Sequence, residues 1–157
     1  YIPDKPALLA DISKTLKPGG KLAFNTTFFD GAHPPETTVF YRKWMLKAVR
    51  SLRREYGLAP VKSERTEARR QLTPQEYQAL VESNGFKISK QSIDTVKFTL
   101  EGYLDISTFA DFIEGTMPGV PLLEASSALK SGARQAFEEM NVDHIPRNWL
   151  CVVATRV

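Results

Sequence analysis

Apolar and polar residues follow a pattern that changes period along the first thirty positions. Residues 4 to 16 carry leucine and isoleucine at helical spacing, which predicts a helix with one buried stripe. Residues 21 to 28 are dense in Leu, Phe and Thr, as is typical of a strand. Between them, Pro18 prevents the helix from continuing, and Gly19 and Gly20 can adopt the positive φ of a sharp turn. The chain therefore starts as helix, turn and strand.

Three further elements are predicted in the middle of the chain. An apolar stripe over 36 to 56 predicts a second helix that stops at Gly57. The segment 58 to 71 has no clean period and is interpreted as a loop or short irregular helix. Thr73-Pro74-Gln75-Glu76 is a capping box with proline at the first helical position, so a third helix begins there. A strand starts at Phe86, and its apolar phase changes near Ile93, which indicates a bulge or a departure from the sheet.

The last third of the chain is predicted to be helical until its final strand. An aromatic-rich helical segment covers 99 to 114, breaks at 115 to 121, and is followed by a long helix over 122 to 141. The continuous apolar run at 149 to 154 predicts a strand buried on both faces. Strands that alternate with helices in this way argue for an α/β fold.

Composition narrows the class of protein. A chain of 157 residues can form one domain with its own core, and no apolar run approaches the ~20 residues of a membrane span. The single Cys151 excludes an internal disulfide framework and a multi-cysteine zinc site, so a cytoplasmic compartment fits best. We expect Cys151 to be buried in its strand and inert. The first residue is Tyr rather than Met, so we expect a processed product or an excised piece.

Charge is distributed unevenly around a formal net charge of +3. Residues 36 to 70 hold ten Lys and Arg against four Asp and Glu, whereas 71 to 157 hold seven against eleven. The basic side chains cluster on one face of 42 to 54. A solvated helix face explains this cluster, and the alternative is a patch for an anionic substrate, a carrier or nucleic acid.

Three short motifs, in this order, resemble one enzyme family. Leu16-Lys17-Pro18-Gly19-Gly20 before an apolar strand is similar to the junction that leads into the fifth strand of class I S-adenosylmethionine-dependent methyltransferases. Asn84-Gly85-Phe86 is similar to their entry into strand six, and the final apolar run to their antiparallel seventh strand. The resemblance covers essentially the whole chain and implies the C-terminal half only of such an enzyme.

The resemblance implies an α/β architecture with three strands of a Rossmann-like sheet, the last one antiparallel and inserted between the other two. It implies a single domain, 1–157, in which helical insertions at 36–70 and 99–141 cover the substrate side. The full-length enzyme would use S-adenosylmethionine to methylate a small, partly apolar molecule. A methyltransferase module within a larger synthase is a variant of the same hypothesis.

One family motif is missing. The family binds its cofactor with an acidic-Gly-x-Gly-x-Gly loop after its first strand, because glycines let the backbone approach the ligand closely. No Gly-x-Gly occurs in this sequence, and Gly19-Gly20 follows a helix instead of a strand. We therefore assign no cofactor-binding and no metal-binding residue, and expect this chain alone to be inactive without the missing N-terminal half or another chain.

Candidate site residues follow from strand polarity. Ligands of open α/β sheets bind beyond the carboxyl ends of the strands. The predicted strand over 21 to 28 is followed by a loop that contains His33. His33 is a candidate general base, although a loop histidine is more often simply solvated. The candidate substrate-binding residues, for which ordinary packing is the alternative, are Asn25, Thr26, Thr27, Phe28, Phe29, Tyr41, Trp44 and Tyr103.

Two other functions stay open. The absent glycine loop favours a non-catalytic interaction module or split partner that binds another chain through exposed strand edges. Nucleic-acid binding through the basic residues of 42 to 54 is a further alternative, but no known nucleic-acid motif surrounds them.

Overall fold

The computed structural model describes residues 2–61 and 70–157 of the chain. Most of the segment 58 to 71, for which a loop or short helix is predicted, lies outside the described residues. The helices are α1 (Lys5–Thr15), α2 (Thr38–Tyr56), α3 (Pro74–Glu82), α4 (Leu100–Ile106), α5 (Ala110–Thr116) and α6 (Leu122–Met140), with a short 3-10 turn at Pro35–Thr37. The strands are β1 (Lys21–Thr26), β2 (Phe86–Thr99) and β3 (His144–Arg156).

The three strands form one sheet in the order β1-β3-β2. β1 and β3 pair antiparallel, with Lys21 opposite Thr155 and Thr26 opposite Leu150. The last strand of the chain therefore lies between the two earlier ones. This order confirms the expected α/β fold with an antiparallel final strand.

The pairing register fixes which side chains share a face of the sheet, because directly opposed residues point the same way. Leu22 and Phe24 of β1 share one face with Ala154 and Val152 of β3. These residues cluster with Leu9 of α1 and with Tyr77 and Val81 of α3. α1 and α3 thus cover this face.

The opposite face of β1 is open. Lys21, Ala23 and Asn25 are exposed, whereas Leu22 and Phe24 are half-buried. On β3, Leu150 and Val152 are buried while Cys151 is half-buried. The prediction of a strand buried on both faces is therefore wrong for β3, because the described residues bury only one face completely. A continuous apolar run does not distinguish a strand buried on both faces from one buried on a single face, since Trp149 and Val153 are apolar but only half-buried.

The chain divides into two compact units. The described residues of unit 1 are 2–33, 70–96 and 147–157, and those of unit 2 are 34–61 and 97–146. Unit 1 holds α1, β1, α3 and most of the sheet. Unit 2 holds α2, α4, α5 and α6, and its two segments contain most of the predicted insertions 36–70 and 99–141.

Unit 2 has its own core around α2 and α6. The core contains Phe40, Trp44 and Tyr103 together with small residues of α6 such as Ala133. Gly132 of α6 lies so close to α2 that a Cβ atom there would be 2.6 Å from the backbone nitrogen of Ala48. The two helices therefore pack nearly backbone to backbone at this point.

Predicted helix ends agree closely with the structure. Asp4 caps α1 by accepting the amide of Ala7 at 2.9 Å, and Gly57 ends α2 with a φ of 66°.

The predicted helix over 99 to 114 is interrupted at Ser107, whose hydroxyl donates to the carbonyl of Tyr103 at 2.7 Å. A serine that bonds the preceding turn competes with helical hydrogen bonding, and no apolar period records that competition.

β2 is one long strand, but its side chains change phase. Ser89 contacts Thr155 of β3 at 2.7 Å, and Asp94 contacts Cys151 at 3.4 Å. Thr155 and Cys151 are four residues apart and share a face, whereas Ser89 and Asp94 are five apart and would not in a regular strand. These contacts favour the predicted bulge between 89 and 94.

Candidate functional site at the carboxyl end of strand β1

β1 ends at Thr26, and the next residues turn away along a neighbouring segment. The hydroxyl of Thr26 accepts the amide of Phe28 at 2.9 Å, which starts the turn. Phe29 is only 1% exposed and forms a parallel bridge with Leu72. The amide of Asp30 then donates to the carbonyl of Leu72 at 2.9 Å. The residues that follow β1 are thus fixed in place by backbone hydrogen bonds.

Asn148 of β3 holds the next part of this loop. Its amide donates to the carbonyl of Ala32 at 2.9 Å, and its side-chain Nδ2 donates to the carbonyl of Gly31 at 3.0 Å. Its Oδ1 accepts the hydroxyl of Thr95 at 2.8 Å. Gly31 has a φ of 111°, a backbone conformation that favours glycine. Sequence reasoning missed Asn148, because its partners are distant in sequence, 53 residues away for Thr95 and 117 for Gly31.

His33 lies in the same loop with an exposed side chain. Partial desolvation, and then the charge of Arg147, lower the pKa of His33 from 6.5 to about 4. The imidazole is therefore neutral at pH 7 and can accept a hydrogen bond or a proton. Its low pKa makes it a weak base, so the arrangement suits His33 better to binding than to proton abstraction at neutral pH.

The five predicted residues at the end of β1 do not converge on one side of the sheet. Asn25 is exposed and pairs with Cys151, on the open face. Thr26 pairs with Leu150, on the face that α1 and α3 cover. Thr27 and Phe28 are half-buried in the turn. Asn25 and Thr26 therefore belong to two different surfaces.

Tyr77 of α3 supports the turn from the covered face. Its hydroxyl donates to the carbonyl of Phe28 at 2.9 Å. Burial raises the pKa of Tyr77, and a hydrogen bond with Thr26 offsets part of this increase. Tyr77 stays protonated at neutral pH and positions the backbone of the turn.

The three predicted aromatic residues Tyr41, Trp44 and Tyr103 lie in unit 2. The hydroxyls of Tyr41 and Tyr103 are 2.7 Å apart, and Trp44 Nε1 donates to the carbonyl of Leu129 at 2.8 Å. Trp44 is 2% exposed and Tyr103 is fully buried. The structure thus gives Trp44 and Tyr103 a core role, and their contact with a substrate stays a prediction.

Cys151 is half-buried instead of fully buried. Its thiol donates to Asp94 Oδ2 at 3.4 Å. Desolvation and the neighbouring Asp94 carboxylate raise the pKa of the thiol. The protonated thiol is a poor nucleophile, which agrees with the expectation that Cys151 is inert.

Within residues 2–61 and 70–157, no group of three or more His, Cys, Asp and Glu side chains is arranged to hold a metal ion. No helix in this part of the chain has both the length and the apolar character needed to cross a membrane.

Comparison with known proteins gives distant structural likenesses only. The chain matches no family model and no curated protein. It is similar to a candidate methyltransferase from Bacillus halodurans C-125, with 14% identity and a TM-score of 0.44, over 98% of this chain and 63% of that one. It is also similar to a candidate sarcosine dimethylglycine methyltransferase from Galdieria sulphuraria, with 14% identity and a TM-score of 0.41, over 99% of this chain and 48% of that one. The chain spans less than two thirds of either protein, and likeness at this level assigns neither a family nor a chemistry.

The glycine turn before β1 does not fit a cofactor loop. The amide of Gly19 donates to the carbonyl of Arg156 at 3.0 Å, and that of Gly20 to the carbonyl of Lys17 at 2.8 Å. A Cβ atom on Gly20 would lie 2.8 Å from the Lys17 carbonyl oxygen. The Gly19 amide is thus used to join the turn to β3 and the Gly20 amide to close the turn, so neither amide can cradle a ligand. The residues of this turn thus do not fit S-adenosylmethionine.

Proposed function

We propose that this chain is the C-terminal portion of a class I S-adenosylmethionine-dependent methyltransferase. In this proposal the cofactor-binding half lies outside the chain, and the full enzyme methylates a small, partly apolar acceptor. The chain contributes three strands, the loop after β1 and helical segments near the substrate. By itself it is inactive.

One observation carries the proposal. β3 is the last strand in sequence, yet it lies between β1 and β2 and runs antiparallel to β1. The resemblance to the family implies this insertion of the final strand. The Leu16–Gly20 motif leads into β1, and Asn84-Gly85 leads into β2, in the order that the resemblance requires.

The loop after β1 would supply binding and orientation in this enzyme. Its backbone is held by Leu72, Tyr77 and Asn148, so groups attached to it are presented in a fixed geometry. Orientation of this kind lowers the entropic part of a reaction barrier. His33 is neutral at pH 7 and could accept a hydrogen bond from the methyl acceptor. The other candidates, Asn25, Thr27, Phe28, Tyr41, Trp44 and Tyr103, remain proposals as acceptor contacts.

Calorimetric titration with S-adenosylhomocysteine tests the proposal. We expect no saturable binding to this chain at ligand concentrations of about 1 mM. The same chain, extended upstream in its own gene to include the glycine-rich loop, should bind one equivalent. Tight binding to the present chain, or no binding to the extended one, would contradict the proposal.

A split-partner or interaction module is the second candidate, and the edge position of β1 favours it. β1 pairs with β3 on one side, and the described residues place no other strand beside it in the sheet. An unpaired strand edge presents amide and carbonyl groups to another chain. Light scattering after size exclusion distinguishes the candidates: a strict monomer at every concentration argues against the interaction module.

A further inference from the structure

Unit 1 contains a cavity whose lining residues, apart from Thr26, are not candidate contacts of the proposed methyl transfer. It lies between α1, α3 and β1, and has a volume of about 260 Å³. Its walls are mainly leucine, isoleucine, valine and phenylalanine side chains, including Leu9, Ile12, Leu22, Phe24, Leu80 and Val81. It is larger than an engineered apolar cavity of about 150 Å³ that holds benzene, so it can accept a small organic molecule.

The two ends of the cavity differ because both helices run back along β1. The turn at 16–20 joins the last turn of α1 directly to the start of β1, with the Cβ of Leu16 close to Gly20. At the end of α3, a Cβ atom on Gly85 would lie 3.1 Å from Ser13 Oγ, also near the end of α1. Ile12 and Leu22 therefore line the same end of the cavity, and this end is apolar.

The other end carries polar groups. Thr26 ends β1, Tyr77 lies in the first turns of α3, and Lys5 begins α1, and all three line the cavity. The hydroxyl of Tyr77 donates to the Phe28 carbonyl at 2.9 Å, so this end of α3 lies beside the end of β1. Lys5 Nζ donates to the carbonyl of Ile2 at 3.1 Å. An ammonium group has three donors, so Lys5 retains donors for a further acceptor.

Charge and shape together select one class of ligand. Lys5 is the single charged residue among the described residues that line the cavity, and no carboxylate lines it. A molecule with one negative headgroup and an apolar tail matches a lysine at one end and an apolar surface at the other. Ile2 and Leu8 are exposed at the rim, so the cavity is accessible from solvent.

We propose that this cavity binds a small amphipathic carboxylate whose carbon chain, the carboxyl carbon included, has about eight carbons. The carboxylate contacts the ammonium group of Lys5, and the tail extends toward Ile12 and Leu22. This site lies on the face of the sheet that α1 and α3 cover. It does not depend on the proposed methyl transfer, because its ligand needs no cofactor and binds this chain alone.

Octanoate is the probe for the first test, used below its micelle concentration. Calorimetry should show saturable one-to-one binding, and octanol, which has the same tail without a charge, should bind about fivefold more weakly. In amide NMR spectra octanoate should shift the signals of Leu22, Thr26 and Val81. Shifts confined to other surfaces, or no saturation, would overturn the proposal.

Two surface variants separate the headgroup from the tail. Lys5→Gln should weaken octanoate binding about fivefold and leave octanol binding unchanged. Lys14→Gln is the matched control, because Lys14 lies on the same helix and pairs with Asp11 outside the cavity.

Leu8→Trp should block both ligands by filling the rim, whereas Ala7→Trp, one position away and not lining the cavity, should block neither. Equal effects of Lys5→Gln and Lys14→Gln, or octanoate binding that survives Leu8→Trp, would contradict the proposed site.

Discussion

Partial burial, and then the charge of Arg147, set the pKa of His33 and so the proton chemistry open to it. The histidine is in an exposed loop, a setting in which an imidazole usually titrates near pH 6.5. Partial desolvation and the arginine charge lower its pKa to about 4. Sequence analysis selected His33 as a candidate base but could not foresee this shift, because Arg147 is brought to the loop only when β3 joins the sheet.

His33 should make the protein less stable as the pH falls. Its pKa is about 4 in the folded protein and near 6.5 when unfolded, so the unfolded state binds more protons between these values. The free energy of unfolding should therefore be unaffected by His33 above about pH 6.5 and should decrease as the pH falls toward 4. Urea unfolding at about pH 7 and pH 5 should reveal this decrease, and His33→Gln should reduce it.

The control for this prediction is Arg147→Gln, followed by NMR titration of His33. Removing the arginine charge should raise the pKa of His33 part of the way toward 6.5, since desolvation remains. A His33 pKa near 6.5 in the unaltered protein would contradict the prediction.

Helix ends were the elements most readily predicted from sequence. The Thr73 box forms as expected: Glu76 donates its amide to Thr73 Oγ1 at 3.1 Å, and its carboxylate accepts the Thr73 amide at 2.8 Å. The Thr73 amide and then Arg70 lower the pKa of Glu76. All partners of this motif lie within six residues, so a local pattern contains the whole interaction.

Thr73→Ala should destabilise the protein by about 1 kcal/mol, because the first turn of α3 loses its side-chain cap. Thr99→Ala is the matched control. Thr99 holds the same N-cap position on α4, but its side chain makes no capping hydrogen bond. Thr99→Ala should therefore lower the free energy of unfolding by only a few tenths of what Thr73→Ala does. The free energy of unfolding in urea measures both, and equal losses would show that capping is not the cause.

Contacts between helices were much harder to predict. The helix over 122 to 141 is rich in small residues, and Gly132 among them packs against Ala48 and Trp44 of α2. A stripe of small residues on a helix indicates that another element packs closely against it, but it does not indicate which helix or strand that is. The open face of β3 escaped prediction for the same reason, since it depends on which elements lie beside the strand. The break at Ser107 is local, but the hydroxyl that bonds the Tyr103 carbonyl leaves no trace in the apolar period.

Gly132→Ala should destabilise the protein by about 1–3 kcal/mol, although alanine is the better helix former. The added methyl group would lie 2.8 Å from both Ala48 Cβ and the Trp44 carbonyl oxygen, so the helices must separate. Arg134→Ala, on the exposed side of α6, should change stability little. Urea unfolding compares the two, and a stabilised Gly132→Ala protein would refute the close approach of α2 and α6.

At the scale of the whole molecule, net charge does not translate directly into an exposed basic surface. Six Lys and Arg residues lie within 42 to 54, but Lys43 and Lys47 both form salt bridges with Glu139 of α6. These two lysines lower the pKa of Glu139 to about 2. Part of the basic face is therefore neutralised within unit 2, which weighs against the nucleic-acid alternative.

Heparin chromatography at low salt tests this point. We expect the unaltered chain to be retained weakly, and Glu139→Gln to elute at a higher salt concentration because Lys43 and Lys47 become available. Glu138→Gln changes the net charge equally at the adjacent position and should have a smaller effect. Equal retention of the two variants would mean that overall charge, rather than the released lysines, controls binding.

The strand order also has a consequence for how this chain acquires its structure during synthesis. β1 is synthesised early, but its only described strand partner is β3. The ribosome must add 134 more residues after Lys21 before its partner Thr155 exists. At ribosomal rates of about 5–20 residues per second, this delay is roughly 7–27 s. Gly31 likewise waits 117 residues for Asn148. Throughout this interval the edge of β1 that pairs with β3 has unpaired backbone groups, so ribosome-bound chaperones have their longest opportunity to act on that edge before β3 is made.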